Sequence, residues 1–433
     1  MKIRIAALVF LCVALMATTF GAVAVGIRQN PVTPSTSPQT GVTKEPVTTG
    51  ENTEPLTTEN NTVETAPVTD EYVPRENHVS FAVAGDNLVL NQVRRYANIL
   101  AGGSGDPTQY NTYGFSYSAM YDAVKPILKK TDLAFYNQDS IVFDDTASNS
   151  MTASLGEDMT ELGFNIVNIA NNAMLEKGEE GLLSSIDYWK KKPVALLGGN
   201  LTADTASSVT VIEKNNITIA FLSYTYGVDD LPTDENGAVK SDLVYPIIDK
   251  DRISREVTAA KDMADMVFVY LHWGAVGDFN RNADQSEVAQ LLVDLKVDAI
   301  FGSHPNVIQE MKWKQRPDGG KTLICYSLGN LLSAMPYANN LLGGLVTFDI
   351  DKDENGKCTI SNVLFNPLFT HYDENYKSIS IRLLKDYTQA DLDTHGSSIL
   401  KGKSDYGKLV EKLKTYIPKS FLDEYFASYS TLN

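Results

Sequence analysis

From His78 onward the chain alternates short apolar runs with helical patterns, and several of the runs stop at a residue that carries a lone pair. The runs are VSFAVAG (79–85), DLAFYN (132–137), NIVNIA (165–170), VALLG (194–198), ITIAFLSY (217–224), MVFVYLHW (266–273), DAIFGS (298–303), TLICYSLG (322–329) and GLVTFDI (344–350). They are rich in Val, Ile, Phe and Ala, which suits strands covered on both faces. Helical spacing falls between them at YSAMYDAVKPILKK, MTASLGEDMTELG, GEEGLLSSIDYWKKK, ISREVTAAKDMADM and SEVAQLLVDLK. Strands separated by helices predict an α/β protein with buried sheets. The stretch from Tyr387 to the end is amphipathic and helical, and is expected to pack on the outside.

The residues at the run ends carry the chemistry. VSFAVAG meets Asp86, and DLAFYN ends at Asn137 with Gln138 and Asp139 next. NIVNIA meets Asn171 and Asn172, MVFVYL meets His272, DAIFGS meets His304, and TLICYSLG meets Asn330. In open α/β sheets, ligands collect beyond the carboxyl ends of the strands. Carboxylate, amide and imidazole groups delivered there from different strands make a mixed oxygen and nitrogen site for a divalent metal. Each residue alone has a plainer reading. Asp86 can be a cap or turn residue, the two asparagines a turn, and His272 a hydrogen-bonded core histidine. The G-S-H-P segment can be a simple turn in which Pro305 holds His304 extended. The coincidence favours the site, because of five histidines the two at strand ends, His272 and His304, follow strongly apolar runs. His78, His371 and His395 lie in linker, loop or tail surroundings.

Charge narrows the partners. There are 54 acids against 37 bases, a formal net charge of -17. Residues 1–77 hold five bases and eight acids, so -14 of that belongs to the rest. Such a surface excludes nucleic-acid binding, which needs clustered Lys and Arg, and disfavours docking of the folded part on anionic lipid. The three cysteines, Cys12, Cys325 and Cys358, include no CxxC, so zinc ribbons and thioredoxin-like redox chemistry are out.

Lys2 and Arg4 precede an uncharged run of 23 residues, Ile5 to Ile27. That is long enough to cross about 30 Å of hydrocarbon as a helix, with the basic flank inside and the remainder outside. The alternative is a cleaved signal peptide, with Ala22-Val23-Ala24 as the processing site. The expected organisation is an anchor or signal at 1–28, a disordered Thr/Pro-rich tether at 29–77, a folded domain at 78–386 and a helical extension at 387–433. The protein is then a single-pass cell-membrane protein with an extracytoplasmic domain, or a secreted one.

The pieces GDNLVLN, NQDS, ANNAMLEKG, LHWG, GSHPNVIQ and YSLGN occur in this order over roughly residues 79–350. Together they resemble the poly-γ-glutamate capsule-synthesis (CapA-like) family, which is similar to the calcineurin-like metallophosphoesterases. The resemblance implies a four-layer αββα sandwich with a site for two metals. It implies that Asp86 binds the first metal and Asp139 bridges both, with Asn137 beside it. Asn172, His272 and His304 then hold the second metal, Asn306 stands where the family has a further histidine ligand, and Asn171 and Asn330 line the pocket.

Three departures from the family pattern matter. The histidine expected after the paired asparagines is Ala173, which can neither donate a proton nor stabilise charge. The second histidine of the GHPH piece is Asn306, and the acid after HWG is Val276, while Glu176 stands in for a family aspartate. The expectation is one divalent ion (Mn, Fe or Zn) bound well and a second weak or absent, at a depleted site. Two classes of function follow: a component of poly-γ-glutamate or related polymer synthesis and export with membrane partners, or an active metal-dependent envelope hydrolase. A non-catalytic surface binding module is the third.

Overall fold

The computed structural model describes residues 74–142, 152–205, 208–397, 399–400 and 405–430. The apolar run at 5–27 and almost all of the Thr/Pro-rich stretch lie outside them. Among the described residues no helix is long and apolar enough to cross a membrane.

In chain order the strands are β1 (His78–Asn87), β2 (Leu133–Gln138), β3 (Ile166–Asn168), β4 (Ala195–Leu197), β5 (Thr210–Lys214), β6 (Ile217–Thr225), β7 (Met266–His272), β8 (Ala299–Ser303), β9 (Met311–Gln315), β10 (Lys321–Cys325), β11 (Asn330–Leu332), β12 (Leu342–Lys352), β13 (Cys358–Tyr372) and β14 (Ile379–Leu383). They form two sheets in a mixed α/β fold. An eight-stranded sheet has the order β14-β13-β12-β1-β2-β3-β4, with β11 also paired to β1, and a six-stranded sheet has the order β5-β6-β7-β8-β10-β9. The strands β1 to β4 run parallel, as do β6, β7, β8 and β10. Antiparallel strands complete both sheets, at β12 to β14 in the first and at β5 and β9 in the second.

Side-chain alternation explains how the sheets stack. Along β7, Met266, Phe268 and Tyr270 enter one core while Val267, Val269 and Leu271 enter another. The same split puts Phe221 and Phe301 on the first face and Ala220, Leu222 and Ile300 on the second. The first face meets the eight-stranded sheet: Phe81 packs across the interface against Phe221 and Phe268, with ring centroids 5.9 and 5.7 Å apart, and beside its own-sheet neighbour Phe348 at 5.0 Å. Burial of each such ring stabilises the stack by about 1.5–3 kcal/mol. The second face is covered by the helices Lys250–Lys261 and Ala283–Asp294 through Ile253, Val257, Val288 and Leu292. The latter helix opens with a capping box, in which Asn282 accepts from the Gln285 amide and Gln285 accepts from the Asn282 amide.

Two expected elements differ. YSAMYDAVKPILKK is not one helix but a 3-10 turn, Ser118–Tyr121, followed by a short helix, Lys125–Leu128. Pro126 lacks an amide hydrogen and is tolerated only in a first turn, so a fresh helix begins there. TLICYSLG is a strand only to Cys325. The chain then crosses at Gly329, with φ 65°, and Asn330 opens β11 in the other sheet. The C-terminal helices, including Tyr406–Tyr416, bury Leu409, Val410, Leu413 and Phe426 in the main core.

Candidate metal centre

Register builds the site. In the eight-stranded sheet one row crosses four strands: Asn330, Asp86, Asn137 and Asn168 are in-register partners on β11, β1, β2 and β3. In the six-stranded sheet a second row holds Thr225, His272 and Ser303 on β6, β7 and β8. In-register residues of neighbouring strands share a face. His272 continues the Phe268–Tyr270 series, so its row faces the other sheet. Asp86 reaches the matching face because the β1–β2 register shifts by one residue between Val83 and Asp86. Gly85 makes this possible: a Cβ there would lie 1.9 Å from the Gly329 carbonyl oxygen.

Asp86 is fully buried and held on both oxygens. Its Oδ1 accepts from Asn137 Nδ2 at 2.7 Å and from the Ser303 hydroxyl, and its Oδ2 accepts from the His304 amide at 2.9 Å. Asn137 in turn accepts at Oδ1 from Asn168 Nδ2 at 2.6 Å, and the Ser223 hydroxyl donates to Asn168 Oδ1. Every donor in this chain points the same way, so the amides are oriented and the series ends on the carboxylate. Burial pushes the Asp86 carboxyl up to about 6, against the opposing pull of these hydrogen bonds.

A second set of atoms converges on His272 Nε2. Asn172 Oδ1 lies 2.9 Å away, His304 Nδ1 3.1 Å and Asp139 Oδ1 3.7 Å. The two imidazoles, whose ring centroids are 4.8 Å apart, therefore meet as the strand ends require. One ligand atom from each of Asp86, Asp139 and His272 falls within 4.8 Å of the others. Asp139 Oδ1 is buried with no hydrogen-bond partner. Burial, and then the nearby Asp86 charge, drives the Asp139 carboxyl well above its usual range. Burial also pushes His272 well below the ordinary histidine range and His304 down to about 4, so both rings are neutral at pH 7. No Lys or Arg contributes to any of these shifts. Buried carboxylates without a cationic partner, beside neutral imidazoles, are the donor set that fits a divalent cation.

The remaining sequence candidates take distinct places. Asn171 caps the 3-10 turn Asn172–Leu175 by accepting from the Ala173 amide, and its Nδ2 donates to the Gln138 carbonyl at 2.9 Å. Asn306 and Asn330 each keep a buried Oδ1 with no hydrogen-bond partner. Asn330 Nδ2 donates to the Asn340 carbonyl at 2.9 Å, and Asn340 Nδ2 donates to the Asn306 carbonyl at 3.1 Å. Val276 is exposed. One expectation is corrected: His304 is not extended before Pro305 but sits at φ 97°, where a non-glycine residue is strained. The Asp86 carboxylate that accepts its amide helps hold it there.

Sequence reasoning missed Asn168, Ser303, Tyr226 and Asp229. Ser303 bonds Asp86 and lies 3.3 Å from His272 Nδ1. The Tyr226 ring packs on His304 with centroids 4.4 Å apart. Asp229 accepts from Asn172 Nδ2 at 2.6 Å. Ser303 closes the run 298–303 and Asn168 lies inside the run 165–170, so a polar residue closing or interrupting an apolar run was the available signal.

Two facing sheets that bring carboxylates, amides and imidazoles to one rim define a mixed α/β protein with a candidate cation centre. The chain belongs to the bacterial capsule synthesis protein PGA_cap family, whose profile matches residues 80–335. It is 26% identical to the capsule biosynthesis protein CapA of Bacillus anthracis over 324 residues, covering 70% of this chain and 75% of that one. It is 25% identical to the PGA biosynthesis protein CapA of Bacillus subtilis (strain 168) over 206 residues, 47% of this chain and about half (52%) of the relative. Among solved structures it overlaps the NAD nucleotidase of Haemophilus influenzae with a TM-score of 0.41 and 11% identity, covering 78% of this chain and 60% of that one. A purple acid phosphatase from yellow lupin overlaps with a TM-score of 0.32 and 9% identity, covering 69% of this chain and 52% of that one.

Proposed function

We propose that this chain is a membrane-anchored, extracytoplasmic component of capsular poly-γ-glutamate or related polymer synthesis and export, built on a four-layer αββα scaffold of metallophosphoesterase type with a depleted metal site. Family membership supports the polymer assignment, and the 23-residue apolar run supports the anchor. The observation that carries the metal reading is the convergence of Asp139 Oδ1, Asn172 Oδ1 and His304 Nδ1 on His272 Nε2, with the Asp139 oxygen buried and unpartnered. These four residues would hold one ion of the Mn, Fe or Zn kind. With its proton on Nδ1, facing Ser303, His272 presents the Nε2 lone pair to that ion. A bound divalent ion supplies positive charge that offsets the buried carboxylates and polarises an oxygen of whatever binds there.

A second ion is held less well. Asp86, Asp139 and Asn306 would supply it with oxygen alone, and an amide oxygen is a weaker ligand than imidazole. Ala173 leaves no proton donor where the family places one. Acid catalysis contributes about 10²–10⁴-fold, so slow or absent phosphoester turnover is expected. The purified full chain should contain one tightly bound metal per protein and hydrolyse aryl phosphate mono- and diesters poorly with added Mn²⁺. Rapid turnover lost in Asp139→Ala would replace this reading with an active envelope hydrolase. In the cell, deletion of the gene should lower cell-associated polymer, and unchanged polymer would refute the export role.

A further inference from the structure

We propose that Asp229 is a positioning residue for the candidate centre: its carboxylate fixes the Asn172 amide so that the carbonyl oxygen, and not the NH₂ group, faces the cation. The inference rests on the metal reading above. An asparagine amide has two ends of nearly equal shape, one an acceptor and one a donor. Turned the wrong way, Asn172 would aim two hydrogens at the His272 Nε2 side and oppose a bound ion. The backbone does not choose between the two, because the amide can rotate about its last side-chain bond.

Asp229 chooses. Its Oδ2 lies 2.6 Å from Asn172 Nδ2, and an ionised carboxylate only accepts, so the NH₂ end belongs there. That leaves Oδ1 on the other side, 2.9 Å from His272 Nε2. The Asp229 amide also donates to the Asn172 carbonyl at 2.8 Å, so the two residues are joined by backbone as well. The loop is anchored at its base, where the Tyr226 amide donates to the His272 carbonyl at 2.8 Å and Thr225 Oγ1 donates to the Gly227 carbonyl at 2.8 Å. A loop of the six-stranded sheet thus orients a ligand that follows β3 of the other sheet.

The test is calorimetric titration of Mn²⁺ and of Zn²⁺ into the metal-free full chain and its variants. Asp229→Ala is expected to weaken binding by about tenfold, the lower end of what outer-shell partners of metal ligands contribute. Asp229→Asn keeps an oxygen to accept from Asn172 Nδ2 and should stay within about threefold of the parent, on the same scale. Asp229→Ala added to Asn172→Ala should cost nothing further. Asp229 is exposed, and an unchanged metal-free melting temperature separates positioning from damage to the fold. Parental affinity in Asp229→Ala overturns the inference, as does Asp229→Asn binding as weakly as Asp229→Ala, which would mean charge rather than orientation. His272→Ala binding metal as well as the parent would instead overturn the centre itself, and this inference with it.

Discussion

The described chain holds two pairs of neighbouring histidines, and only one has the makings of a metal centre. His272 and His304 have ring centroids 4.8 Å apart, and His371 and His395 have theirs 5.1 Å apart. Burial lowers the pKa of all four. The difference lies in the company. His371 Nδ1 bonds the Tyr387 hydroxyl at 2.7 Å, His395 Nδ1 accepts from the Ser397 amide at 3.0 Å, and its Nε2 donates to the Thr370 carbonyl at 3.2 Å. Tyr372 and Phe369 pack against the His395 ring. That pair is satisfied, and it fills space between β13 and the C-terminal segment. The other pair faces the buried Asp86 carboxylate and the partly exposed Asp139 carboxylate, whose Oδ1 is buried with no partner. Closeness of imidazoles is therefore not the mark of a cation site; unmet negative charge beside them is.

The largest expected effect separates the pairs directly. Asp139→Ala or His272→Ala should lower Mn²⁺ or Zn²⁺ affinity by on the order of 100-fold or more, beyond the 10–100-fold of outer-shell changes. His395→Ala should leave affinity alone and lower stability by about 2–4 kcal/mol through the cavity it opens. Calorimetry and denaturant melts read the two quantities separately, and a metal-binding loss in His395→Ala would erase the distinction.

The pH dependence sharpens it. Binding of the weaker second ion needs the Asp86 carboxylate ionised, and protons compete for it below its raised value of about 6. Affinity for that ion should therefore fall as pH drops below about 6, approaching tenfold per unit for one competing proton. For the metal-free protein the sign is opposite for this group. An acid whose folded pKa is raised stabilises the fold when protonated, and that contribution is lost as pH rises from about 4 through about 6. Melts of parent and Asp86→Asn at pH 4.5 and 7.5 check this, and equal pH slopes would refute it.

Asn306→His should strengthen a second cation by about tenfold, since imidazole is the better donor for borderline metals. A titration with one binding step in both proteins would argue that Asn306 lies off the site. The smallest effect is on the stability of the metal-free protein. Asp139→Asn removes a buried carboxylate with no counter-charge and should stabilise the metal-free protein at pH 8 by roughly 1–2 kcal/mol while abolishing tight metal binding. A loss of stability in both states would mean the carboxylate is already compensated.

Much of this was legible in the sequence, for stated reasons. Parallel strands such as β7 are buried on both faces, so they read as unbroken apolar runs and stop visibly at His272. The long antiparallel strand β13 was not legible. CTISNVLFNPLFTHY is interrupted by Asn362, Asn366 and Pro367, which read as turn residues, yet Pro367 sits in the ladder opposite Gly344. Of the candidate site, Asp86, Asp139, Asn172, His272 and His304 stood out because each follows or closes a run. Which of them meet was not legible from spacing. It depends on the one-residue register shift before Asp86 and on the crossover at Gly329 that brings Asn330 beside it. Asp229 lies in a loop whose several acids look alike in sequence, and only the contact with Asn172 singles it out.

The most direct measurement is an anomalous-scattering map from crystals of the full chain grown with Mn²⁺ or Zn²⁺. The account predicts a peak at about 2.0–2.3 Å from His272 Nε2 and His304 Nδ1, within bonding reach of Asp139 and Asn172. A map with no peak there, or with its peak between His371 and His395, would contradict it.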